Sequence, residues 1–278
     1  MNIFRNLFTR TRALFGARPL PEEQLGARPD EPDDRDWIAE LPRDTTFSPS
    51  PGLSQYSMKP MNQGRTSACT GFAGTGFIYN LQCRLNRGRH DNTWRPAPLY
   101  LYWRVRNRAG WPNEDRGGFS RDVMKVLHKE GVVPYDHHPT DTDWSRVPAA
   151  QVRTQNVIRY FIKGYKRVPV NADTPSLLEY IIGHEKLPVY IGCRLYASMD
   201  SSMTRRNGEI QVPDRDSERL IGGHAMVIDD YDPHSRMLFI LNSWGNQTGD
   251  RGRYYMPYEY VTTRLLTHDL WCPVLEYY

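Results

Sequence analysis

The sequence predicts an α+β protein of two lobes, the first built from helices and the second from strands. Three observations predict it. Apolar residues recur at helical spacing in several segments as far as residue 182, whereas after residue 188 the apolar stretches are short and rich in Val, Ile, Leu and Tyr. Helices first and strands later build segregated layers rather than alternating βαβ units. The 278 residues, 39% hydrophobic and 24% charged, suffice for a large core and exclude a collagen, a coiled coil or a wholly disordered chain.

Taken in order, the first stretch is basic and apolar. Ile3, Phe4, Leu7, Phe8, Leu14 and Phe15 fall near helical spacing among Arg5, Arg10 and Arg12, which suits a short amphipathic helix that touches a membrane surface or docks on a partner through residues 1–16, or else a frayed terminus ordered only on docking. From Glu22 to Glu40 the chain turns acidic and proline-bearing, as a linker or an extended strap would. Residues 1–35 are therefore expected to be a flexible extension, and residues 36–278 the folded domain. Docking is favoured over a strap in the cleft, because Pro19, Pro21, Pro29 and Pro32 lack the N–H that a paired strand would use.

Within the domain, Ala68, Phe72, Ala73, Phe77, Leu81 and Leu85 fit one helix face after Thr66 and Ser67, both good N-cap types. Further helices are expected over 98–107, over 120–130 between Ser120 and Gly131, and from Thr174-Pro175 to Ile182. Strands are expected over 188–196, 224–231, 237–243 and 253–258.

The net charge of +4 is too small to argue for nucleic acid, and no apolar run approaches the length of a membrane span. Cys69, Cys83, Cys193 and Cys272 form no C-x-x-C pair, which argues against zinc or a disulfide framework and fits a reducing, cytoplasmic setting. The start lacks a secretory apolar core. No metal or other cofactor is expected.

One cysteine is placed for chemistry. Cys69 sits at the first turn of its helix, where unpaired N–H groups and the helix dipole favour a thiolate. His224 begins one strand and Asn242 ends the next, with the turn sequence Asp232-Pro233-His234-Ser235-Arg236 between them. In an antiparallel hairpin centred on Pro233, facing residues sum to 466, so His224 and Asn242 face each other and the amide can fix the imidazole.

With these residues the sequence resembles the papain-like cysteine peptidases, the cathepsin relatives. The resemblance rests on Gln63-Gly64 six residues before Cys69, on Gly223-His224-Ala225, on Asn242-Ser243-Trp244-Gly245, and on Gly117-Gly118 before a helix. It implies a two-lobed fold, with an antiparallel barrel-like second lobe and the active-site cleft between the lobes. It also implies a cysteine endopeptidase acting on peptides or proteins through an acyl-enzyme. By this resemblance Cys69 attacks the carbonyl, His224 moves the proton, Asn242 orients His224 and Trp244 shields that bond. Gln63 and the Cys69 N–H would form the oxyanion hole. Gly118, with Gly117, would pair with substrate backbone, while Phe119, Gly192, Gly222 and Gly223 would line a roomy specificity pocket.

The departures are informative too. Thr66 and the neighbourhood of Asp115 stand where the family carries a disulfide, and Thr70 replaces its usual aromatic residue. Too little chain precedes Cys69 for the long inhibitory propeptide of the secreted enzymes. An amidase, deamidase or transpeptidase using the same residues, or a non-catalytic binding component, are the alternative readings.

Overall fold

Three successive helices carry the first lobe. In the computed structural model, which describes residues 25–43, 46–86, 94–154 and 157–275, these are α1 (Cys69–Leu85), α2 (Pro98–Ala109) and α3 (Ser120–Lys129). Pro98 opens α2, where its missing N–H costs nothing, and Gly110 closes it in the left-handed region at φ 88°. Short helices α4 (Ala150–Arg153), α5 (Thr174–Glu179) and α6 (Ser202–Asn207) follow, α5 running on into a π-helical turn over Tyr180–His184. Expectations for residues 1–24, the docking segment included, lie outside the described residues.

Helix α1 is not the one-faced amphipathic helix its spacing predicts. It is buried from Cys69 to Leu81 on every side, lying between α2 and α3 and the sheet of the second lobe. Glycines make this possible. A Cβ at Gly71 would fall 2.5 Å from the carbonyl oxygen of Pro98 on α2, and one at Gly76 would press on Leu241 and Val227 of the sheet at 3.0 and 3.4 Å. The expected caps are also absent: Ala68 is the N-cap, and Thr66 turns its hydroxyl to Gln63 O instead.

The second lobe is a six-stranded antiparallel sheet of order β3-β8-β4-β5-β6-β7. Its strands are β3 (Gly164–Arg167), β4 (Val189–Tyr196), β5 (Leu220–Asp232), β6 (Met237–Leu241), β7 (Arg253–Pro257) and β8 (Thr267–Val274). A separate pair joins β1 (Ala27–Arg28) to β2 (Gly118–Phe119). Strands β4 to β7 lie where the sequence predicts them; β3 and β8 were not anticipated. β8 is buried along its whole length yet carries Thr267, His268, Asp269 and Pro273, which hide its strand character. No helix among the described residues is long and apolar enough to cross a membrane.

The two lobes are tied through a buried charge. Asp229 on β5 is inaccessible to solvent, pairs with the Arg253 guanidinium and accepts a hydrogen bond from Asn80 of α1 at 3.2 Å. Removing one partner leaves the other charge buried without compensation. Arg253→Met is therefore expected to cost about 3–5 kcal/mol of stability, read as a lowered midpoint in urea unfolding.

Candidate active site

Cys69 is the first residue of α1, so its N–H has no acceptor within the helix. Its sulfur is fully buried, with hydrogen bonds from the backbone N–H groups of Gly26 (3.4 Å) and Ala225, the residue after His224. Burial outweighs these donors and pushes the thiol up to about 11. The thiolate expected at the helix start is therefore not the form this geometry favours, and the reason lies above the sulfur, as described below.

His224 and Asn242 do meet. His224 Nε2 lies 2.8 Å from Asn242 Oδ1, and that oxygen also accepts the Ser243 N–H at 2.7 Å, which fixes the amide's orientation. The other ring nitrogen, Nδ1, has no hydrogen-bond partner. Burial holds the imidazole down at about 4, opposed in part by the Asn242 bond. The register is not the one expected. Val227 faces Leu241 and Ile228 faces Ile240, so the sum is 468 rather than 466, and a bulge between Ile228 and Asp230 adds one more beyond it. The shift brings Trp244 against His224, their rings stacked at 4.7 Å and 27°, while Asn242 reaches the imidazole from a diagonal position. Trp244 is itself braced edge-on by Tyr254 at 5.8 Å.

Gln63 is buried and locked. Its Oε1 accepts from Ser243 Oγ at 2.6 Å, its Nε2 donates to Thr66 O at 2.7 Å and its N–H to Ser243 O at 2.9 Å. The loop before α1 is thus stitched to the Asn242-Ser243-Trp244 segment, and Ser243 joins the site as a residue the sequence reading did not single out. Asp115 is another. It accepts from the Ser67 N–H at 3.0 Å and from Tyr102 Oη at 2.6 Å, and Tyr102 Oη in turn accepts from the Gly117 N–H. Where the resemblance leads one to look for a disulfide beside Thr66, a carboxylate holds the same two loops together; all four cysteines are free thiols.

Residues 25–35, expected to be part of a flexible extension, pack against the domain, and Leu25–Arg28 lie in the cleft. Ala27 pairs with Gly118 and Arg28 with Phe119 in parallel, and the Gly118 N–H donates to Gly26 O at 2.8 Å. The fit is close: a Cβ on Gly26 would stand 2.0 Å from Ser67 O, one on Gly117 1.9 Å from Gly26 O, and one on Gly223 2.0 Å from Ala27 O. Gly222 borders the strap more loosely, a Cβ there standing 2.9 Å from the Leu25 side chain. Of the prolines that argued against a strap, the two within the described residues, Pro29 and Pro32, are not among the paired residues. Leu25-Gly26-Ala27-Arg28 enters the cleft, and Pro29 and Pro32 come after it. This segment desolvates the sulfur and presents an N–H to it, not a carbonyl.

Of the expected pocket residues, Phe119 packs against Trp111 with ring centres 5.7 Å apart. Gly192 does not leave open space. A Cβ there would meet the His268 ring at 2.6 Å and Ser120 Oγ at 2.9 Å, so the room the glycine frees is taken by a histidine on the unforeseen strand β8.

No protein-family profile matches the chain. It is 27% identical over 222 residues, 77% of its own length and 69% of the relative's, to an uncharacterized peptidase C1-like protein of Acanthamoeba polyphaga mimivirus. Among solved structures it is similar to xylellain, a cysteine protease from Xylella fastidiosa, with TM-score 0.79 and 27% identity, covering 94% of this chain and 99% of that one. A procathepsin B from Trypanosoma congolense shares the fold at TM-score 0.68 and 12% identity, with 98% of each chain covered.

Proposed function

This chain being a papain-like cysteine peptidase, we propose that Cys69 is its nucleophile and His224 its general base and acid, hydrolysing internal peptide bonds through an acyl-enzyme. The observation that carries the reading is the division of labour on the imidazole: Nε2 is held by Asn242, and Nδ1 is unpartnered beside a strand whose next N–H bonds the Cys69 sulfur. The thiol proton passes to Nδ1 as sulfur bonds to the carbonyl carbon. Collapse of the tetrahedral adduct breaks the C–N bond, and the departing nitrogen takes the proton from His224. Water then attacks the thioester, giving a proton to His224, and the C–S bond breaks with that proton returned to sulfur.

The developing oxyanion is met by the Gln63 side-chain amide and the Cys69 N–H, donors that matter most when charge appears in the transition state. Gln63→Ala is expected to lower kcat/KM by about 10²-fold. Unchanged kinetics in that variant would remove Gln63 from the oxyanion hole.

Residues 25–36 act as an inhibitory strap in this reading. They occupy the backbone-pairing edge at Gly117 and Gly118 and hold the pair as neutral thiol and neutral imidazole. Whatever displaces them admits both substrate and water. Gly118 then pairs with substrate, and Phe119, Gly192, Gly222 and Gly223 border the side-chain subsite.

A further inference from the structure

The strap is anchored beyond the cleft by a carboxyl group set beside another. Asp30, its side chain almost wholly buried, accepts the Arg121 N–H on both oxygens, at 2.9 and 3.1 Å, and the Trp271 Nε1–H at 3.2 Å. Its own N–H donates to Asp269 Oδ2 at 3.1 Å, so the strap residue is pinned against a second buried carboxylate. Asp269 already has its own partners: Arg167 at 2.6 Å and His268 Nδ1 at 2.8 Å.

We propose that the Asp30–Asp269 pair makes seating of the strap proton-dependent, the cleft staying covered while Asp30 is protonated and opening toward alkaline pH once both groups are ionised. This rests on reading residues 25–36 as the cover of the proposed active site.

The groups around Asp30 set the balance. From β8 it faces Asp269 with His268 behind it; from β3, Arg167, 4.0 Å away and shared with Asp269 and Asp36; from α3, Arg121, whose guanidinium is engaged by Asp36 at 2.6 Å; from β4, the Tyr190 phenol, which burial keeps protonated. On the strap itself, Asp33 is taken by Arg35 at 2.7 Å. Both arginines favour an ionised Asp30, but each is already committed to other carboxylates. Burial first, and the Asp269 charge second, raise Asp30 to about 8, while Asp269, held by His268 and Arg167, is lowered.

The sign follows by linkage. An Asp30 released to solvent titrates near 3.9, so seating the strap takes up a proton between that value and about 8. The added hold is complete below the released value, weakens as pH rises, by at most about tenfold per unit, and is gone above the seated value. An amide in place of the acid keeps an acceptor for Arg121 and Trp271 and brings no charge, so it should hold the strap at every pH.

The test reads seating in the full chain without turnover, so it stands or fails separately from the peptidase mechanism. Hydrogen-exchange protection of the Gly118 N–H, which the strap's Gly26 carbonyl accepts, is measured from pH 5 to pH 8.5 after correction for intrinsic exchange. Protection in the unaltered chain should fall at least tenfold over that range, with the sheet amide of Val227 as a steady reference. In Asp30→Asn it should stay high throughout. A flat profile in the unaltered chain, an equal fall in Asp30→Asn, or an Asp30→Asn strap unprotected at every pH would each overturn the proposal.

Discussion

Cys69→Ala should bring peptide turnover to background, a loss on the order of 10⁵–10⁶-fold, without lowering the unfolding midpoint. The loss is that large because no other nucleophile among the described residues is set to form the acyl-enzyme. Cys83, Cys193 and Cys272 are buried thiols held up by desolvation in a helix or in the sheet; Cys193 is the cross-strand partner of His224, but neither it nor the others stands at a helix start whose unpaired N–H groups favour a thiolate. Asn242→Ala should behave differently and leave measurable turnover, since it removes orientation of His224 and not the proton acceptor. Steady-state rates of the two variants on one fluorogenic peptide check both. Cys69→Ala turnover equal to that of the unaltered chain would dismiss the mechanism.

Removing residues 1–36 should raise turnover of a small peptide tenfold or more. Two effects act together. The Gly118 edge becomes free to pair with substrate, and water reaching the sulfur relieves the desolvation that holds the thiol at about 11 and the imidazole at about 4. The helix start and the Ala225 N–H then act on the sulfur without the opposing burial. Gly26→Val is a second route to the same state, because a Cβ there meets Ser67 O at 2.0 Å and a branched side chain cannot seat. Equal rates for the full and shortened chains would mean that the strap is no inhibitor and would return the segment to the docking role.

How much of this was legible in the sequence differs by element. Helices α2 and α3 and strands β4 to β7 show because local spacing and the Pro and Gly at element ends report them, whereas α1 shows only as an apolar helical run, its predicted single face and its Thr66 or Ser67 cap not being the ones it adopts. The meeting of His224 and Asn242 shows because a short turn between two apolar runs can only make a hairpin. Its register did not show, since a bulge at Ile228–Asp230 leaves no mark in composition. β8 was hidden because Asp269 is polar for long-range reasons, holding the strap's Asp30 N–H and Arg167, partners about a hundred residues or more away, and His268 beside it holds Asp269 in turn. The strap was misjudged for a related reason. Proline content was averaged over the whole extension, whereas the residues that pair, Ala27 and Arg28, contain none, and the tight fit of Gly26 against Ser67 exists only in three dimensions.

The most direct measurement exposes the full chain and the chain lacking residues 1–36 to an epoxide thiol trap at neutral pH, and locates the adduct by mass spectrometry over time. The account predicts one adduct per chain, on Cys69, forming at least tenfold faster in the shortened chain, with Cys69→Ala unlabelled. Labelling of Cys83, Cys193 or Cys272 at the same rate as Cys69, or no Cys69 adduct in a folded shortened chain, would contradict it.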